Sequence, residues 1–280
     1  MESTSRKRAR DEEGDSAYSN ELDPLSSLGD FLNFDLSPFT NFNPEDTLTF
    51  SDTLVALRMM RAQFPSMDKA TVEPFILRSQ LYSSLQDRTQ VDRELEMLKQ
   101  DNMLRIFKLN TGQDDDAIMF MDDYMNQIGR AVKKLELKNE DEIKVFDLFK
   151  THVVYSKLEP SIGHDELLSL LSNGGRVNDD SISLLINAGL LTRKLIDPNL
   201  YWFAIPNIGA ILKGLSQGRK ELLSLLKRTK YKEMMLATLE KKRLRYSPLD
   251  MRFHLRDLIG SGLLKTAQTA TGIVVRVSKD

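Results

Sequence analysis

Residues 179–205 read DDSISLLINAGLLTRKLIDPNLYWFAI. The pattern is an amphipathic helix over Asp180–Ala188 ended by Gly189, then an apolar strand Leu190–Leu195. A turn at Asp197-Pro198-Asn199 returns the chain as a second strand, Leu200–Ile205. The same grammar recurs on either side. Upstream, Val91, Leu95 and Leu98 mark a helix stripe, with Asp87 as its N-cap and Gln90 three residues on as in a capping box. Asn102, the strand Met103–Leu109, a polar loop through Gly112 and Asp114–Asp116, and the strand Ala117–Met121 follow. Downstream, a helix Leu249–Ile259 ends near Gly260–Gly262, and strands Leu263–Thr266 and Ile273–Val277 flank a turn at Ala270-Thr271-Gly272.

Two further helical stretches precede each helix–hairpin: Asp52–Phe64 and Val72–Leu85, Glu140–Leu158 and His164–Leu171, Arg219–Arg228 and Tyr231–Lys242. Three helices followed by a β-hairpin is the winged-helix order, in which the third helix can enter a major groove and the hairpin flanks it. Other small α/β units share this order, but its threefold recurrence favours the winged helix. The expectation is a mainly α chain with small β-hairpins (α+β), built as three tandem winged-helix domains over 51–136, 137–214 and 215–280 after a tail over 1–50.

That tail reads as disordered. It opens with Arg6, Lys7, Arg8 and Arg10, a basic run of the kind an import receptor reads as a nuclear-localisation signal, and turns acidic at Asp11–Asp15. Phe31-Leu32-Asn33-Phe34-Asp35-Leu36, with Phe39 and Phe42, mixes aromatics with acids as partner-binding linear motifs do. There is no signal-peptide core and no apolar run of membrane-spanning length. Cysteine is absent, and the three histidines, His152, His164 and His254, are scattered, so no metal site and no cofactor are expected.

Charge separates along the chain. The net charge is −2, yet residues 213–280 hold 16 Lys+Arg against 6 Asp+Glu, a local net of +10. The remaining residues carry a net of −12. Such a split points to a localised anionic partner, nucleic acid first and a membrane surface second. Residues 219–256 are densest, with 12 bases against 4 acids. Arg219, Lys220, Lys227, Arg228, Lys230, Lys232, Lys241, Lys242, Arg243, Arg245, Arg252 and Arg256 are the candidate nucleic-acid contacts. Mobile lysines and forked arginines suit phosphates better than base edges, so binding to duplex DNA is expected to be salt-dependent and weakly sequence-specific. Tyr231 and Tyr246, interleaved with these bases, read as half-buried core residues rather than stacking platforms. The equivalent helices of the first and second units are acidic, and like charge would keep them from a phosphate backbone. They are expected to hold proteins or each other. The runner-up reading is a protein- or RNA-binding scaffold.

Leu77-Arg78-Ser79-Gln80-Leu81-Tyr82-Ser83 and Asp87-Arg88-Thr89 resemble the serine/threonine-protein kinase 19 family. So do Asn187-Ala188-Gly189-Leu190-Leu191-Thr192, Trp202-Phe203-Ala204-Ile205-Pro206, Lys227–Glu233 and Asp257-Leu258-Ile259-Gly260. What the resemblance implies is three winged-helix domains, binding to double-stranded DNA and RNA, residence in the nucleus on chromatin, and a role in transcription-coupled nucleotide-excision repair. There the protein is expected to bridge stalled RNA polymerase II, its repair factors and downstream DNA.

The family name asserts a kinase, whose parts are recognisable. Gly260-Ser261-Gly262 is followed at the next motif position by Lys265, not Gly. His-Arg-Asp, Asp-Phe-Gly and a Walker-type loop are absent, Gly29-Asp30-Phe31 being only a scrambled echo. Without a phosphate cradle or metal carboxylates, phosphoryl transfer has no visible transition-state stabiliser, and no catalytic residue is assigned. Asp114-Asp115-Asp116 lacks cation-binding spacing and reads as a solvated wing tip. His254, between Arg252 and Arg256, reads as touching phosphate or facing solvent.

Overall fold

Ser51 Oγ accepts a hydrogen bond from the Leu54 amide at 3.2 Å and caps helix α1 (Asp52–Ala62). The computed structural model describes residues 51–65, 72–111, 114–136, 139–175 and 177–278. Within them the order helix, strand, helix, helix, strand, strand occurs three times. The first pass is α1, β1 (Ile76–Leu77), α2 (Arg78–Ser84), α3 (Arg88–Gln100), β2 (Leu104–Asn110) and β3 (Asp114–Phe120). Helix α4 (Met121–Lys134) leads to α5 (Glu140–Leu148), which runs on as a π-helical turn over Phe149–Val154. β4 (Ser161–Gly163), α6 (His164–Ser172), α7 (Asp179–Asn187), β5 (Leu191–Arg193) and β6 (Leu200–Phe203) complete the second pass. The third is α8 (Gly209–Lys227), β7 (Glu233–Met235), α9 (Leu236–Glu240), α10 (Met251–Gly260), β8 (Leu264–Thr269) and β9 (Gly272–Val277). Each pass closes its own three-stranded antiparallel sheet with the last strand in the middle: β1-β3-β2, β4-β6-β5 and β7-β9-β8. The fold class is α+β, as the sequence pattern predicts.

The short first strand of each sheet is missing from the sequence reading. Pro74, which has no amide to donate, stops the helix expected over Val72–Leu85. The chain instead runs extended through the buried Ile76 and Leu77 before α2 begins. The helix expected over Tyr231–Lys242 likewise divides into β7 and α9, behind Lys232 at φ +55°. The helix expected over Arg219–Arg228 starts earlier, at Gly209. Asp87 does cap α3, accepting from the Gln90 amide at 3.0 Å, but the Gln90 side chain turns to Glu94 instead of back to the cap.

Asp115 and Asp116 are not a solvated tip, and the backbone of Asp114–Asp116 is strand. They pair in register with Asn110, Leu109 and Lys108 as the start of β3. Asp116 is held by Arg78 at 3.1 Å and Lys108 at 3.4 Å, and Asp115 by Arg219 at 2.6 Å. Cations from other elements thus neutralise Asp115 and Asp116 within the sheet.

Two apolar clusters form the core. One lies within the first pass, around Leu57, Ile76, Leu81, Leu95 and Ile118. The other is continuous across all three, from Phe75, Phe107 and Tyr124 through Phe149, Leu185 and Phe203 to Leu215, Leu249 and Phe253. Phe253 of α10 packs edge-on against Phe75 and Phe64, with ring centroids 6.0 and 6.1 Å away. Burying each such ring contributes about 1.5–3 kcal/mol. Helix α10 lies along α2. Ser79 Oγ donates to Asp257 at 2.7 Å, Gln80 Nε2 to the Phe253 carbonyl at 3.3 Å, and Arg88 to the Gly260 carbonyl at 3.1 Å. Of the residues in α10, only Arg252 is exposed and Ile259 half-buried.

Candidate nucleic-acid interface

Helix α8 sorts its residues by face. Ile211, Leu215, Leu222 and Leu226 are fully buried. Lys213, Lys220 and Lys227, spaced by two helical turns, form one exposed stripe on the other side. Beyond the helix, Arg228, Lys230 and Lys232 are exposed on a turn held by the Glu233 amide donating to Thr229 Oγ1 at 2.9 Å. Lys241, Arg243 and Arg245 are exposed and Lys242 half-exposed on the segment that returns beside α8. That segment is tied down by Glu221, whose carboxylate accepts the Arg245 amide at 3.0 Å and the Tyr246 amide at 3.2 Å.

Three of the four acids over residues 219–256 are engaged locally. Glu221 holds the returning segment, Asp250 caps α10 through the Phe253 amide at 2.7 Å, and Glu240 pairs with Arg252 at 3.3 Å. Among the described residues, no carboxylate is ion-paired with Lys220, Lys227, Arg228, Lys230, Lys232, Lys241, Lys242, Arg243 or Arg245. Their field faces solvent uncompensated, which is the electrostatic condition for releasing counterions from a polyanion.

Two of the expected contacts lie elsewhere. Arg219 is buried, with Nε donating to Asp257 at 2.5 Å and Nη1 to Asp115 at 2.6 Å. Burial lowers its basicity, but hydrogen bonds and charge from both carboxylates outweigh that and raise its pKa. Arg256 is also buried and bonds to Gln63, with burial lowering its pKa. Neither guanidinium can reach a phosphate, because both face the packed seam beneath the surface. Helix α10, expected to enter a groove as the third unit's recognition helix, is covered by α2. Arg252 is exposed but shared with Glu240.

His254 neither touches phosphate nor faces solvent. It is fully buried, and its Nε2 lies 2.8 Å from Ser247 Oγ. Burial first, and the Arg219 charge after it, bring its pKa down to about 4. Tyr231 and Tyr246 reverse the expectation of a half-buried position, with 70% and 63% of their surface exposed. Of the β6 aromatics, Phe203 is core and Trp202 is half-exposed under the Lys194 ammonium at 5.2 Å. The candidate import signal at Arg6, Lys7, Arg8 and Arg10, and the aromatic-acidic motif, lie outside the described residues.

Sequence reasoning missed Lys213, legible only once α8 is known to start at Gly209. It also missed Lys265 and Arg276, directly opposed and exposed on β8 and β9. Their alternation along the hairpin was the available signal. Elsewhere the charge is negative: α5 and α7 wall a groove of about 1220 Å3 carrying Asp141, Glu142, Asp147 and Asp180. No His/Asp/Glu group suited to a metal ion occurs among the described residues, and no helix there is long and apolar enough to cross a membrane.

Residues 39–277 match the family model described as inactive serine-threonine protein kinase 19. The chain is 33% identical over 250 residues to winged helix repair factor 1 of Xenopus laevis, covering 88% of this chain and 90% of that one. It is 28% identical to the protein of that name from Dictyostelium discoideum, covering 90% and 73%. The Homo sapiens protein of the same name is 30% identical over 208 residues, covering 73% and 76%.

Proposed function

Because the chain belongs to the inactive serine-threonine protein kinase 19 family, whose relatives are named winged helix repair factors, we propose that it is a non-enzymatic, nuclear DNA-binding adaptor of three tandem winged-helix units. The third unit grips duplex DNA, and the acidic first and second units hold proteins. The observation that carries this reading is the surface of Lys220, Lys227, Arg228, Lys230, Lys232, Lys241, Arg243 and Arg245, exposed and unmatched by acids. With α10 covered, the unit contacts phosphates and does not read bases from the major groove, so binding is tolerant of sequence. The acidic groove between α5 and α7 suits a cationic protein partner. Following the family resemblance, the setting is transcription-coupled nucleotide-excision repair, with the protein bridging stalled RNA polymerase II and repair factors. The kinase parts missing from the sequence agree with the family description as inactive.

The test is a titration of labelled duplex with the full chain across salt, beside a variant with Lys227, Arg228, Lys230, Lys232, Lys241, Lys242 and Arg243 changed to Glu. Contact with six to ten phosphates loses roughly 10³–10⁵ in affinity between 50 and 200 mM salt. The wild type should show that slope, the variant should lose it, and scrambled duplexes should bind alike. Flat or absent duplex binding would overturn the reading and move the patch to an RNA or an acidic protein.

A further inference from the structure

Large aromatic rings left in water forgo the stabilisation of burial, and among the described residues the two most exposed ones sit in the basic surface. Tyr231 is 70% and Tyr246 63% exposed, whereas Tyr124 and Tyr201 are buried at 0% and 3%. Neither exposed hydroxyl is hydrogen-bonded among the described residues. Both rings nonetheless rise from backbone pinned to α8. The Tyr246 amide donates to Glu221 at 3.2 Å. Tyr231 lies in a turn closed by the Lys232 amide on the Thr229 carbonyl at 3.1 Å and by the Glu233 amide on Thr229 Oγ1 at 2.9 Å. From Glu221 to Lys227 the helix advances about 9 Å, so the backbones that carry the two rings are anchored at separate levels along α8. The ammonium of Lys230 lies 5.3 Å from the Tyr231 ring centroid.

We infer that Tyr231 and Tyr246 are stacking platforms for unpaired bases of single-stranded DNA, so that this surface binds a duplex carrying a single-stranded extension more tightly than a blunt one. Cationic side chains that follow a backbone, interleaved with exposed aromatic faces, are the arrangement that binds single strands without regard to sequence. Inside a duplex the base faces are covered by their neighbours, which leaves a ring only the outer faces of the terminal pairs to stack on. Only an unpaired stretch uses lysines and tyrosines together. The inference rests on the proposal that the basic surface meets nucleic acid, and it names which form.

The test compares three labelled DNAs with the full chain: a blunt duplex, the same duplex with an oligothymidine tail, and the same duplex with a tail of abasic residues. The last two carry equal phosphates and differ only in bases. The thymidine tail should bind more tightly than the abasic tail. Y231A and Y246A should each reduce that advantage about fivefold or more, taken as the ratio of each variant's own thymidine-tail and abasic-tail affinities, and Y231F and Y246F should keep it. Equal binding of the two tails, or an advantage untouched by both alanine variants, overturns the inference. If the blunt duplex is not bound at all, the duplex reading fails by itself. Free oligothymidine against its abasic counterpart then decides the tyrosines.

Discussion

A methyl group placed on Gly260 would stand 1.6 Å from the Ser79 carbonyl oxygen and 2.9 Å from the Ser83 amide nitrogen. Both obstacles are backbone, so α10 could accommodate it only by moving away from α2. That contact joins the last helix of the third succession to the second helix of the first, and Ser79–Asp257, Gln80–Phe253 and Arg88–Gly260 bond across it. Gly260→Ala should cost about 3 kcal/mol, at the upper end for overpacking. Gly129→Ala, on α4 with nothing within 4 Å of the new carbon, should gain about 0.5–1 kcal/mol from helix propensity. Urea unfolding of the two variants measures both. Equal stability of G260A and wild type would mean that the helices are not in this contact.

This seam also marks where the sequence stopped being legible. Caps and turns were readable because their signals are local: Asp87 caps α3, and Gly189 sits at φ +76° where α7 ends. Most amphipathic helices and the three hairpins were readable for the same reason, but α4 was not, and two expected helices break into a strand and a shorter helix. The first strand of each sheet was not readable, because two or three residues carry no period and their partners lie far along the chain. In the basic stretch, charge was visible but direction was not. Arg219 and Lys220 are neighbours in sequence, and only the distant Asp115 and Asp257 turn the first inward. Two of the segments that carried the family resemblance, Leu77–Ser83 and Asp257–Gly260, prove to pack on one another.

Adjacent residues should therefore behave oppositely. Arg219→Met strips Asp257, fully buried, and Asp115 of their shared cation and should cost about 3–5 kcal/mol, as breaking a buried pair does. Lys220→Met, on the exposed face, should stay within about 0.5 kcal/mol. DNA affinity of the correctly folded fraction should fall for K220M and be unaffected by R219M. Burial pushes the Asp115 carboxyl up, but hydrogen bonds from Arg219 and Thr111 and the Arg219 charge hold its pKa below the ordinary 3.8. Its stabilisation is thus present above that pH and lost as the solution is acidified further. A mild R219M in urea unfolding at neutral pH would contradict the cluster.

Arg105 tests a different kind of burial. Only 1% of it is exposed; Nη1 donates to the Val154 carbonyl at 2.8 Å, and the guanidinium carbon lies 3.8 Å from the Phe203 ring centroid. Its Nε and Nη2 have no hydrogen-bond partner among the described residues, and burial brings its pKa down to about 10. The residue ties β2 of the first succession to the second through shape and a cation–π contact, with no carboxylate. Because its charge is poorly compensated, Arg105→Met should remain within about 1 kcal/mol of wild type. Arg105→Ala, which empties the space, should lose about 3 kcal/mol. Chemical denaturation of both separates the roles. Equal losses would show that the charge, not the volume, is what the site needs.

His254 makes stability depend on pH in a window of its own. It packs beside Arg219, its Nε2 lies 2.8 Å from Ser247 Oγ, and its Nδ1 has no hydrogen-bond partner among the described residues. Burial foremost, then the Arg219 charge, lower its pKa from the ordinary 6.5 to about 4. The unfolded chain therefore protonates this side chain near pH 6.5, and the folded chain only near pH 4. Stability is full above the upper value, falls as pH drops through the interval, and levels off below the lower one. The total loss is about 3 kcal/mol. His254→Gln removes the titration while keeping a polar group for Ser247. The variant should be weaker at neutral pH, yet lose less on acidification between about pH 6.5 and 4. Urea midpoints taken across that interval measure the two slopes. Asp115 contributes only below its ordinary 3.8, so it does not enter the comparison. Parallel slopes for H254Q and wild type would place the acid sensitivity in another group and refute a neutral imidazole at the seam.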